Sequence, residues 1–197
     1  MADISATLVK ELRERTGVGM MDCRKALVET NGDMDAAIKY LREKGISKAE
    51  SKAVRETKEG VVHSYIHFNR KIGVLLELNC ETDFVARTDN FIALADEICL
   101  QIAAAAPLAI SAEQIDPAIL ENEREIARNK ALNDGKKEEF LDRIVDGHIK
   151  KFCAEHSLMD QELISDSKRT VKDLISEAIA ATGENIQVAR FTRYIIG

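Results

Sequence analysis

The sequence predicts an α+β fold: a three-helix module, a charged linker, and a core in which a three-stranded antiparallel sheet is covered by helices. Three observations carry this. Apolar residues recur at helical spacing in three short segments before residue 45. From Gly60, two runs alternate with a period of two on either side of Asn69-Arg70-Lys71, the pattern of a hairpin. Further helical stripes follow, and one more alternating run closes the chain. The boundaries read 1–45 for the helical module, 46–59 for the linker and 60–197 for the core.

Residues 4–15 form the first helix, with Leu8, Val9 and Leu12 as its stripe and Gly17 at its end. Gly17-Val18-Gly19 is a turn. It does not read as a phosphate loop, which needs a strand before it and a lysine after its last glycine; here a helix precedes and Met20-Met21 follow. A second helix runs from about Met21 to Thr30, and Asn31-Gly32 closes it. Asp33 is the N-cap of a third, Met34 to Lys44, which Gly45 ends. A core built from so few residues is marginal alone, and such modules serve as docking pieces. Adjacent helical residues point about 100° apart. Met20 and Met21 are therefore either both adaptable surface contacts or one core residue and one at its rim. Residues 46–59 have no clear apolar face beyond Ala49 and Ala53.

The core opens with a strand from Val61 to Phe68 and a second from Ile72 to Glu81. On the second, Ile72, Val74, Leu76, Leu78 and Cys80 share one face, and Gly73, Glu77, Asn79 and Glu81 the other. Asp89 caps the next helix, whose stripe is Phe91, Leu94, Ala95, Ile98, Ile102 and Ala105, and Pro107 terminates it. Asp116-Pro117 starts another, to about Leu132. Lys136 to His156 is a long amphipathic helix with Phe140, Ile144, Val145, Ile149, Phe152 and Cys153 inward. After a loop, Thr170 and Asp173 resemble a capping box at the start of the last helix, Gly183 ends it, and Asn185 to Ile196 is the final strand.

Between the second strand and the helix at Asp89 lies Thr82-Asp83-Phe84-Val85, in the kind of connection where function concentrates. Phe84 reads either as an anchor tucked under the loop, which periodicity alone favours, or as a plug for another protein's pocket.

The totals bound the function. The chain has 197 residues, 45% hydrophobic and 31% charged, which suits a folded chain with a buried core. The net charge of -6 divides as +2 over residues 1–58 and -8 beyond, so no part is basic enough for nucleic-acid binding to be its main task. No window is apolar enough for a membrane span and no secretory signal opens the chain, so a cytoplasmic protein is expected. Cys23, Cys80, Cys99 and Cys153 form no C-x-x-C and read as reduced thiols. His63 and His67 lie about 13 Å apart along a strand, too far for one metal ion, and read as surface or partner-facing residues. Cys153 and His156 alone are no metal site. Nothing pairs a nucleophile with a base, so an enzyme using Asp83 with His63 or His67 is the weakest reading.

Three stretches together resemble a known family. They are L-V-K-E-L-R-E-R-T-G-V-G-M-M-D-C-R-K-A-L from Leu8 to Leu27, N-C-E-T-D-F-V-A-R from Asn79 to Arg87, and G-E-N-I-Q-V-A-R-F from Gly183 to Phe191. With N-G-D-M-D-A-A-I-K-Y-L-R-E-K-G from Asn31 to Gly45, the likeness covers essentially the whole chain, and the family is that of bacterial elongation factor Ts. The resemblance implies a ubiquitin-associated-like N-terminal module, a flexible linker and an α+β core. It implies a guanine-nucleotide exchange factor for elongation factor Tu in protein biosynthesis, with no covalent chemistry, no cofactor and no metal of its own. Thr82, Asp83, Phe84 and Val85 would then dislodge Mg²⁺ from the partner, which turns Phe84 from anchor to plug. Arg13, Met20 and Met21 match the contacts of the first module. Glu162-Leu163 departs from the Pro-Phe often found there. Longer relatives carry two related halves in the core; this chain shows one, so a homodimer is expected. With no cysteine in the final strand, no disulfide between subunits is expected.

Overall fold

The computed structural model describes residues 4–197, and all their side chains except those of residues 46–48 and 50. By its internal contacts the chain divides into two compact units. One takes the residues up to Tyr65, Leu75–Cys99 and Lys172–Thr192; the other takes Ile66–Val74, Leu100–Val171 and Arg193–Gly197.

The first unit begins with three helices. Helix α1 (Ala6–Thr16) starts where the Leu8 amide donates to Ser5 Oγ at 3.2 Å, and ends at Gly17, whose φ of 67° lets its amide reach Arg13 O at 2.8 Å. Helix α2 spans Met20–Glu29. Helix α3 (Met34–Lys52) is capped as expected, with the Ala36 amide donating to Asp33 Oδ1 at 2.9 Å. Leu12, Cys23, Ala26, Leu27 and Ala37 are fully buried at their junction. The expected end of α3 at Lys44 is wrong. The helix runs through Gly45, which is buried against the last helix: a Cβ there would stand 3.5 Å from that of Ala180. Packing overrides the weak helix propensity of one glycine.

The sheet has the order β1 (Glu59–Ile66), β2 (Ile72–Cys80), β3 (Ile186–Ile195), with β2 in the centre. All neighbours are antiparallel: β3 sets Asn185 beside Glu81 at one end and Ile196 beside Lys71 at the other. Val74, Leu76, Leu78 and Cys80 are buried and Leu75 is exposed, so the alternation read from the sequence holds. Strand β1 sits two residues earlier than expected. The turn needs His67–Lys71, with Arg70 in the left-handed region and the Lys71 amide on Asn69 Oδ1. Gly60 has a φ of 152°, and a Cβ there would lie 2.2 Å from Leu78 O, so only glycine fits where β1 meets β2.

Helix α4 (Asp83–Ala86) is a single turn after β2, and helix α5 (Asp89–Ala105) follows. Phe91, Leu94, Ala95 and Ile98 are buried, as expected. The cap of α5 is Thr88 rather than Asp89, since the Phe91 amide donates to Thr88 Oγ1 at 3.3 Å. His63 is half-buried at the surface, its Nε2 2.7 Å from Asp96 Oδ1 on α5.

In the second unit, α6 (Pro117–Asn133) and α7 (Glu138–His156) form an antiparallel pair. Ala127 and Ala131 allow close approach, and Leu141, Val145 and Ile149, one turn apart, fill the seam. Phe140, expected inward, is half exposed because Leu141 takes the seam position. Two buried amides hold the loop after α7. Gln101 Nε2 donates to Gln161 Oε1 and Glu162 O, Gln101 Oε1 accepts from the Ile164 amide, and Gln161 Nε2 donates to Glu155 O. Helix α8 (Val171–Thr182) returns the chain to β3. No helix among the described residues is long and apolar enough to cross a membrane. The four thiols are free, and burial pushes that of Cys99 up to about 12.

Candidate partner-binding site

Strand β2 ends where its last inward residue, Cys80, is fully buried and donates its thiol proton to Thr82 O at 3.2 Å. Thr82 then adopts extended backbone (φ -129°, ψ 152°) and begins the turn α4. Its Oγ1 faces the Val85 amide at 3.4 Å, and its carbonyl accepts from the Ala86 amide at 3.2 Å. The single turn buries Val85 and Ala86 and turns Asp83 and Phe84 outward. Val85 is 6% exposed and Phe84 is 79% exposed. Phe84 is therefore not the loop's anchor; Val85 is. The periodicity-based preference for Phe84 as anchor fails because the strand's alternation ends at Thr82 and a helical turn replaces it.

Asp83 pairs with Arg87 at 3.0 Å across this turn, both largely exposed. Such a pair contributes about 0.3–0.5 kcal/mol, so it restrains Asp83 only weakly.

The segment is held from below by residues far away in sequence. Glu184, just after α8, accepts from the Glu81 amide at 3.1 Å, the Thr82 amide at 3.0 Å and the Thr82 hydroxyl at 2.6 Å. In return the Asn185 amide donates to Glu81 Oε1 at 2.6 Å. That amide, with the Arg55 charge behind it, holds the Glu81 carboxyl below the usual carboxylate range. Asn185 is 1% exposed, and its Nδ2 donates to Arg55 O at 2.8 Å. Lys52, at the end of α3, reaches Gly183 O at 2.5 Å. The sequence reading missed Glu184 and Asn185 as parts of this site. Their signal was two adjacent polar residues wedged between a helix-ending glycine and an alternating strand.

The N-terminal candidates lie on either side of the Gly17–Gly19 turn. Arg13 is exposed in the last turn of α1, and Met20 and Met21 open α2 with 41% and 79% exposure. Neither methionine belongs to the core, so the reading that puts one of them inward fails.

The site residues read from the sequence are thus an exposed aromatic on a fixed turn and exposed thioethers at the start of a helix. Residues 27–197 match the family model of Elongation factor TS. The chain belongs to the elongation factor Ts family. An Elongation factor Ts of Thermoanaerobacter sp. (strain X514) is 58% identical over 191 residues, covering 97% of this chain and 94% of the relative. That of Desulforamulus reducens is 53% identical over 197 residues, covering 100% and 91%. That of Oleidesulfovibrio alaskensis is 52% identical over 197 residues and covered end to end, as is this chain. Helix α1 and most of α2 precede the stretch matched by the elongation factor Ts model, and the relatives extend over them.

Proposed function

We propose that this protein is the guanine-nucleotide exchange factor of elongation factor Tu, binding its GDP complex, dislodging Mg²⁺ and releasing GDP so that GTP can bind. The observation that carries this reading is the exposure of Phe84 on a turn whose two sides are tied down, by Glu184 before it and by buried Val85 after it. An aromatic ring in water is unfavourable on its own account, and a rigid mount makes it suitable for insertion into a partner's pocket.

The mechanism needs no covalent step. A factor that binds the nucleotide-free partner more tightly than the GDP form must weaken GDP binding by the same ratio. Phe84 wedges into the partner's nucleotide-binding domain and moves the groups that hold Mg²⁺; without the ion, phosphate charge is poorly neutralised and GDP leaves. Asp83 gives up Arg87 for donors on the partner, a cheap exchange for an exposed pair. Val85 seats the turn, and Thr82 caps it. Arg13, Met20 and Met21, on a ubiquitin-associated-like module, make a second contact, so two modest interactions act as one stronger one.

The test is release of a fluorescent GDP from elongation factor Tu. Acceleration by catalytic amounts of this protein is expected; an unchanged rate despite complex formation would leave a binding module without exchange activity. We also propose that it works as a homodimer. Val62 and Leu75 are exposed on adjacent strands of the sheet, 73% and 48% respectively, and suit cover by a second copy. Sedimentation equilibrium at micromolar concentration is expected to give twice the 21.9 kDa chain mass, and the single mass would overturn the dimer.

A further inference from the structure

Glu184 lies outside the Thr82–Val85 segment, 102 residues on from Thr82, yet it accepts three hydrogen bonds at that segment's base. We propose that Glu184 is the positioning residue of the exchange segment: through the proton of the Thr82 hydroxyl it fixes the cap, and thereby the aim, of the turn that carries Phe84. This rests on the exchange-factor reading above and deepens it.

The argument is one of hydrogen-bond direction. A carboxylate can only accept. The Thr82 hydroxyl, 2.6 Å from Glu184 Oε1, must therefore give its only proton to Glu184. Its lone pairs are then left to face the Val85 amide 3.4 Å away, the bond that caps α4. The other oxygen, Oε2, takes the Glu81 and Thr82 amides, so the carboxylate grips backbone and side chain at the point where β2 becomes α4. The grip is itself anchored. Asn185, the next residue, is buried and bonded to Glu81 and to Arg55 O. Glu184 thus accepts from the Glu81 amide while Glu81 accepts from the Asn185 amide, one residue beyond Glu184, so the two segments are tied in both directions.

Glutamine at 184 has nearly the same shape but one acceptor oxygen fewer. With its nitrogen toward the Glu81 and Thr82 amides, donors face donors. With its nitrogen toward the Thr82 hydroxyl, that hydroxyl must accept there, its donation to residue 184 is lost, and one lone pair rather than two is left for the Val85 amide. Either way the turn loses a bond that defines its direction.

The experiment uses the full chain and elongation factor Tu loaded with fluorescent GDP, over a range of exchange-factor concentration. Glu184→Gln is expected to lower the maximal stimulated rate on the order of tenfold with little change in the half-saturating concentration. In a Phe84→Ala background the same substitution is expected to change the rate by less than about twofold, because Glu184 acts through Phe84. Thr82→Val is expected to repeat the defect and Thr82→Ser to restore the wild-type rate. Equal losses in both backgrounds, or a wild-type rate in Glu184→Gln and Thr82→Val, would overturn the proposal. Amide hydrogen exchange of the protein alone separates this inference from the exchange reading. Glu184→Gln is expected to speed exchange at Val85 about tenfold or more, whether or not the wild type releases GDP. Unchanged protection at Val85 would sink the positioning role even in an active exchange factor.

Discussion

Replacing Phe84 with alanine is expected to lower the stimulated rate of GDP release on the order of a hundredfold, as loss of a central aromatic anchor does at protein interfaces. The unfolding midpoint should stay within about 1 °C, because an exposed side chain away from special backbone contributes only a few tenths of a kcal/mol. The ring is 79% exposed, so little packing is lost, and alanine is at least as good a helix former within α4. Stopped-flow release of fluorescent GDP together with a thermal melt checks both halves. Equal loss of rate and of stability would return Phe84 to the role of loop anchor.

Phe91 gives the opposite result from the same substitution. It stands seven residues on, in the first turn of α5, and is 2% exposed. Phe91→Ala is expected to cost about 3–5 kcal/mol, from lost transfer energy and from the cavity left in a close-packed interior. In a chain of this size that lowers the unfolding midpoint by roughly 10 °C or more. Below that temperature the remaining folded protein should still release GDP at close to the wild-type rate. A melt unchanged by Phe91→Ala would mean that α5 does not cover the sheet in solution. The two variants together separate what holds this region in place from what it presents.

The contrast between Phe84 and Phe91 also marks what could be read from the sequence. Phe91 belongs to a stripe with Leu94, Ala95 and Ile98, and regular spacing assigned it inward. Phe84 falls where one period has stopped and the next has not begun, so the preference for an anchor that spacing gives there is unsafe, and only likeness to a family turns the ring outward. The alternation of β2 was legible because one of its faces is buried along its whole length. Glu184 was not, because the bond it makes to Thr82 closes a loop of 102 residues, and nothing local in either segment encodes it. The errors at Thr88, Leu141 and Gly45 share a cause. Each local rule was sound, and a neighbouring residue or a packed helix offered a better solution.

The passage of α3 through Gly45 to Lys52 makes the connection to the N-terminal helices a matter of angle as well as length. A coil absorbs one added residue with hardly any change at its ends. A helix advances by about 1.5 Å and turns by about 100° for each residue. A single insertion between Lys44 and Lys52 would thus swing Met20 and Met21 a little over a quarter of a turn about the helix axis while moving them little along it. Seven inserted residues would bring them back to almost the same heading. A lone insertion there alters direction far more than reach, whereas one of whole helical repeats alters reach more than direction.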